Sequence, residues 1–190
     1  MGAWSDLLDT VRPLDLIMTW GRSSKAPDLS RLLIQEGIEG LTRGGPSHVR
    51  LYVGEGRIWE VTYPVCRYGV LAEIDLRECD VEVGYHDGVE SASEEQRRLI
   101  LLAADRLVSS RYDVGELIEH LFDELGLDTK DHSDPARFVC SSGVEYCFRK
   151  AGLGFCPEEE LVSPEDIRLS PHYRVRWQWG NAPRRGKWMG

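Results

Sequence analysis

The stretch SHVRLYVGEGRIWEVT, Ser47 to Thr62, decides the reading of the fold. Two runs of β-forming residues flank Gly54-Glu55-Gly56, a pattern that predicts a hairpin closed by a three-residue turn. Along the first strand Val49, Leu51 and Val53 share one face, and His48, Arg50 and Tyr52 share the other. With Val53 opposite Arg57, Arg50 faces Glu60, and Glu60 becomes the diagonal neighbour of His48 on the same face. A histidine on the polar face of a strand is not where a packed core histidine belongs.

Outward from the hairpin, Leu14–Trp20, Val70–Leu76 and Val81–Tyr85 bring the expectation to about five strands in the N-terminal half. Residues 22–46 form a long excursion between the first two strands. Its leucines suggest a short helix and a candidate lid, with Leu33 and Ile38 covering a groove or packing as a satellite core. The second half turns helical. Ser91 and Ser93 precede Glu94 and Gln96 at capping-box spacing, opening a helix to about Val108. Val114, Leu117, Ile118, Leu121, Phe122 and Leu125 recur at helical period until Gly126. A further helix is predicted from about Cys140 to Ala151, and Ser163-Pro164 looks like a cap with Pro at the first helical position. Strands first and helices later predict an α+β fold, an antiparallel sheet or half-barrel packed against a C-terminal set of helices. A single domain is expected over 1–190, with 180–190 a flexible tail.

Composition narrows the function. The 190 residues carry a net charge of −9, which argues against nucleic acid or an anionic membrane surface as partner. No apolar run reaches the roughly 20 residues of a membrane helix, so no integral membrane segment is expected. No basic start followed by an apolar core is seen at the N-terminus, so a cytoplasmic location is expected. Five cysteines, an odd number, read as reduced thiols. Cys66 and Cys79 flank a strand, but a disulfide between them does not suit a reducing compartment. Cys140, Cys147 and Cys156 lack the close pairing of a zinc knuckle, His86, His132 and His172 have no second ligand at useful spacing, and His120 falls between the apolar positions of its helix, as a solvent-exposed residue would. No metal and no cofactor is therefore expected. The basic, aromatic Arg174–Trp179 segment, followed by Arg184, Arg185, Lys187 and Trp188, reads either as a membrane-interface or nucleic-acid tail or, more plainly, as a final strand with a frayed tail.

Cys140 lies in Arg137-Phe-Val-Cys-Ser-Ser at a predicted helix start, where free N–H groups and the macrodipole favour a thiolate. It shares a helical stripe with Val144, Cys147, Phe148 and Ala151, so it faces the sheet, either as a small core residue or as a nucleophile. Glu60 likewise has two readings. It can hold the His48 imidazole, completing a nucleophile–base–orienter set, or it can pair with Arg50 across the strands.

Taken in order, several motifs recur: Asp15-Leu-Ile, Ser47-His-Val-x-x-Tyr-Val-Gly, Trp59-Glu-Val-Thr, Tyr112-Asp113, Phe138-Val-Cys-Ser-Ser and Val162-Ser-Pro-Glu-Asp-Ile-Arg-Leu-Ser-Pro. The ordered set resembles the circularly permuted branch of the NlpC-type, papain-like cysteine hydrolases, the YiiX/YebB-like group, over about residues 12–173. The resemblance implies Cys140 as nucleophile, His48 as base, Glu60 as orienting group and Tyr112 as a residue lining the site. It further implies cleavage of a peptide or lipid-like amide through a thioester on Cys140. An LRAT-like acyltransferase or thioesterase, or an inactive binding domain on the same fold, are the alternatives. The expected partner is a small-molecule, peptide or lipid-like acyl substrate. Two departures stand out: the family's first strand usually begins Gly-Asp where this chain has Leu14-Asp15, and Ser141-Ser142 replaces the usual Ser-Glu or Ser-Gly.

Overall fold

The computed structural model describes residues 3–21, 45–62, 65–108, 111–112, 137–138, 140–157 and 162–182, with only the backbone at 111–112 and 137–138. Its strands are β1 (Leu16–Gly21), β2 (His48–Gly54), β3 (Arg57–Thr62), β4 (Val65–Val70), β5 (Cys79–His86), β6 (Arg111–Tyr112), β7 (Arg137–Phe138) and β8 (Tyr173–Trp179). Its helices are α1 (Ala3–Thr10), α2 (Gly88–Ser91), α3 (Glu94–Leu107), α4 (Cys140–Arg149) and α5 (Pro164–Leu169). The strands form one sheet in the order β7-β6-β4-β3-β2-β1-β5-β8. Six long strands pair antiparallel, and the short β6 and β7 pair parallel at one edge. The fold is α+β. Most of the expected lid (residues 22–44), the Val114–Leu125 stripe and the tail beyond residue 182 lie outside the described residues. Among the described residues no helix is long and apolar enough to cross a membrane.

Each face of the sheet buries a separate apolar cluster. Leu16, Met18, Val49, Leu51, Trp59 and Val61 face α3, α4 and α5, meeting Ile100, Val144, Phe148 and Ile167. Ile17, Tyr52, Ile58, Val81 and Val83 face the other way, covered by Leu7 and Val11 of the α1 region and by Leu71, Ile74 and Leu76. The central β1 is thus buried on both sides, which explains its unbroken Leu-Ile-Met-Thr-Trp run. The helix starts follow the sequence. Ser93 and Ser163 each accept from the third helical amide, and Gln96 and Asp166 return the bond.

Three local expectations need correction. The hairpin register holds at Leu51↔Trp59 and Tyr52↔Ile58, but Gly54 pairs with Arg57, so the turn has two residues and Val53 is bulged out. Glu55 and Gly56 both take positive φ, 53° and 70°, the conformation a two-residue turn between right-twisted strands demands. The strand expected at Val70–Leu76 is instead β4 at Val65–Val70, pairing with β3 from Thr62↔Val65 to Arg57↔Val70. Leu71 and Ile74 follow at turn spacing and bury themselves through a 3-10 turn, which an alternating pattern mimics. Finally, α1 at the N-terminus belongs to no expected element. Only Leu7 of its eight residues is buried.

Two further sites fasten the ends of the chain to the sheet. Glu82 on β5 is fully buried and accepts from Arg168 Nε (3.0 Å) and Nη2 (3.2 Å), Tyr173 Oη (3.1 Å) and Gln178 Nε2 (2.5 Å). At the other end Leu14 sits at φ 75° with its side chain buried, and its amide donates to Tyr52 O at 2.8 Å. Left-handed backbone costs a residue with a Cβ about 1 kcal/mol, and a glycine nothing. Leu14→Ala keeps that cost and loses the buried side chain, whereas Leu14→Gly loses the side chain and removes the cost. Both variants should be destabilised, but in urea unfolding Leu14→Gly should be the more stable of the two by about 1 kcal/mol, reversing the usual Ala-over-Gly order.

Candidate active site

α4 packs against β2 and β3, and its first residue is Cys140. Gly143 makes the close approach: a Cβ there would stand 2.6 Å from Val61 Cγ2 and 3.0 Å from Trp59 Cη2, so any larger residue would lift the helix. The amides of β2 alternate in direction. The Tyr52 amide donates to Asp15 O on the β1 side, so that of Val49 points towards β3. Beyond Leu51↔Trp59, where the β2–β3 ladder stops, the Val49 amide donates to the Cys140 sulfur instead.

His48 opens β2, with 18% of its side chain exposed, and hydrogen-bonds the Cys140 thiol. Its Nε2 lies 3.4 Å from Glu60 Oε2. The same carboxylate oxygen accepts from Arg50 Nε at 2.9 Å, so both sequence readings of Glu60 occur together, on one atom. The other oxygen accepts from Arg67 Nε (3.0 Å), with Arg67 Nη2 at 2.9 Å. Arg67 carries no local sequence signal, because its place opposite Glu60 depends on where β4 begins. With β4 paired to β3 from Thr62↔Val65, Arg67 falls opposite Glu60. Tyr112 has its backbone in β6 beside Phe138 of β7, two residues ahead of Cys140 in the chain, and its side chain lies outside the described residues.

The electrostatics follow from this packing. Burial would raise the Glu60 carboxyl, but His48, Arg50 and Arg67 overcome it and hold the group well below the usual carboxylate range. For Cys140, burial also opposes the charged form, yet the His48 charge and hydrogen bond, the Val49 amide and Arg50 bring the thiol below its ordinary value. In His48, burial and Arg50 favour the neutral ring, while Cys140 and Glu60 favour the imidazolium and leave the ring above its ordinary value. A lowered thiol and a raised imidazole widen, from both sides, the pH range in which a thiolate–imidazolium pair exists. All five cysteines are free, and burial pushes Cys66 up to about 11 and Cys147 higher still. Those two are poor nucleophiles.

The pairing of β5 with β8 also gathers His86, Asp87 and His172, whose ligand atoms all lie within 4.8 Å of one another. The set suits a cation poorly. His86 Nδ1 accepts the Gly88 amide at 3.0 Å, the two imidazoles stack at 5.0 Å and 14° and so do not converge, and Arg174 donates to Asp87 Oδ2 at 2.6 Å.

The fold and this row of thiol, imidazole and carboxylate define an α+β protein with a cysteine at a helix start against a strand-borne histidine. No protein-family model and no curated protein matches the chain. Among solved structures, that of metalloprotein yiiX from Escherichia coli O157:H7 is similar, at 18% identity, a TM-score of 0.51, and coverage of 89% of this chain and 98% of that one. The likeness is one of fold, and the fold is YiiX-like.

The seat of α4 gives a direct test. Gly143→Ala should cost about 1–3 kcal/mol through overpacking against Trp59 and Val61. It should also slow alkylation of Cys140 at neutral pH, because the lifted helix start draws the sulfur from His48. A fall in melting temperature with alkylation unchanged would place the helix start elsewhere.

Proposed function

We propose that the chain is a cysteine hydrolase of the permuted papain-like, NlpC-type kind, acting on an amide or related acyl bond. The observation that carries this reading is the His48 ring standing between the Cys140 sulfur and Glu60. With Nε2 turned to Glu60, Nδ1 is the nitrogen left for the sulfur. The Cys140 thiolate attacks the acyl carbonyl carbon, and the carbonyl electron pair moves onto oxygen. The amides of the first turn of α4 are placed to stabilise that oxyanion. Collapse expels the leaving amine or alcohol, which takes the proton from the His48 imidazolium, and leaves a thioester on Cys140. Neutral His48 then removes a proton from water as it attacks the thioester, releasing the acid and restoring the thiolate–imidazolium pair. Glu60 keeps the ring oriented and its charge favoured, and Tyr112 is assigned to the lining of the site. No cofactor enters any step. The similar yiiX structure is that of a metalloprotein. Here the His86–Asp87–His172 donors do not fit a metal ion, and no step runs through them.

The test is selective alkylation. Iodoacetamide at neutral pH should label Cys140 at least about tenfold faster than the other four cysteines, with an acid limb below the ~8.5 midpoint of a free thiol. His48→Ala should return that limb to the free-thiol range or above, since burial then acts unopposed by the imidazolium. A chromogenic ester should give a burst of acyl-enzyme that Cys140→Ala abolishes. Uniform labelling of the five thiols, with no burst, would overturn the hydrolase reading.

A further inference from the structure

Arg50 has no part in the chemistry above, yet it is the most firmly held cation of the row. It follows His48 by two residues on the same face of β2, and only 20% of its side chain is exposed. Its Nε donates to Glu60 Oε2 on β3 at 2.9 Å, the oxygen that His48 Nε2 approaches at 3.4 Å. Its Nη1 donates to Thr19 Oγ1 on β1 at 3.1 Å. Bonds to neighbouring strands on both sides leave the guanidinium no freedom to turn away. Arg67 differs: it is 54% exposed and binds the far oxygen of Glu60, so water screens more of its charge. Around the Arg50–Glu60 pair on this face stand the Thr19 hydroxyl and Glu73, and the Cys140 sulfur reaches the head of β2 from α4, which packs on the opposite face. Glu73 Oε2 and Glu60 Oε1 lie 3.5 and 3.6 Å from where a Cβ of Gly69 would stand.

Resting on the hydrolase reading, we propose that Arg50 is a positioning residue that sets the pH window of the Cys140–His48 pair by counterpoising Glu60. A fixed positive charge beside both groups disfavours every proton they bind. It favours thiolate over thiol, and neutral imidazole over imidazolium. Both proton losses are thereby drawn to lower pH. Glu60 acts oppositely on the ring, favouring its imidazolium. Bound to one oxygen of one carboxylate, Arg50 and His48 compete for its charge, and the balance between them fixes where the pair forms and where it is lost. A residue that merely joined strands would affect stability and leave both limbs where they are.

The experiment measures two limbs on the full chain: the pH dependence of Cys140 alkylation by iodoacetamide, and the NMR titration of the His48 ring. Arg50→Gln should move both limbs to higher pH, by about one unit each. Arg50→Lys keeps the charge but not the fork, and should move them part of the way. Glu60→Gln should move the His48 limb the other way, to lower pH. Thr19→Val removes only the outer anchor and should give a smaller shift of the same sign as Arg50→Gln, so the test survives if that variant fails to fold. Limbs unmoved in Arg50→Lys and Thr19→Val, or limbs moving in the same direction in Arg50→Gln and Glu60→Gln, would overturn the proposal. If wild-type Cys140 is not selectively alkylated, the hydrolase reading fails first, and Arg50 has no pair to tune.

Discussion

The contact on which the site depends is apolar: the glycine face of α4 resting on Trp59 and Val61. Gly143 lets the helix backbone approach β3 closely enough for its first residue to reach the place where β2 and β3 part. A sulfur at that place meets an amide that the ladder has left unpaired and an imidazole from the head of the same strand. The polar geometry is thus set by packing. Were the helix about an ångström further out, the hydrogen bonds to His48 and Val49 would lengthen past usefulness, because such bonds weaken steeply with distance.

Much of this was legible in the sequence where the signals are local. The hairpin around Gly54-Glu55-Gly56, the capping boxes at Ser93 and Ser163, and the helix opening at Cys140 all announce themselves within a few residues. Placing His48 and Glu60 on one face needed only the two-residue period of a strand. Long-range facts were not legible. Arg67 reaches Glu60 only through a third strand whose start is hidden behind Tyr63-Pro64, and the competing Leu71–Ile74 pair imitates β alternation. His86 and His172 become neighbours only because β5 and β8 pair, and no spacing along the chain reports that. The departure at Leu14 is instructive: the backbone there is left-handed, the conformation a glycine adopts without cost, so with leucine the chain bears the strain.

The environment of Glu60 shows why "orienting carboxylate" and "salt bridge" are not alternatives. A buried carboxylate with a single histidine partner would be costly to keep charged. Two guanidiniums, one on each oxygen, make the charge permanent, and a permanent charge is what an imidazole needs beside it if it is to gain and lose a proton without its neighbour doing the same. The arrangement separates the group that titrates from the group that holds it.

Glu82 has a consequence for the order in which the protein is made. Its four donors come from Arg168, Tyr173 and Gln178, which follow it by some eighty residues or more, while Glu82 itself sits on β5, between β1 and β8. On the ribosome, β1 to β5 emerge long before those donors do. Until then Glu82 must stay hydrated, since burying it alone would cost several kcal/mol. The sheet therefore cannot close at β5 during synthesis, and the nascent chain carries an open, water-facing edge until α5 and β8 arrive. Completion of the fold is tied to the translation of Arg168 to Gln178, and a ribosome stalled short of Arg168 would display an unfinished sheet edge to the chaperones that survey emerging chains.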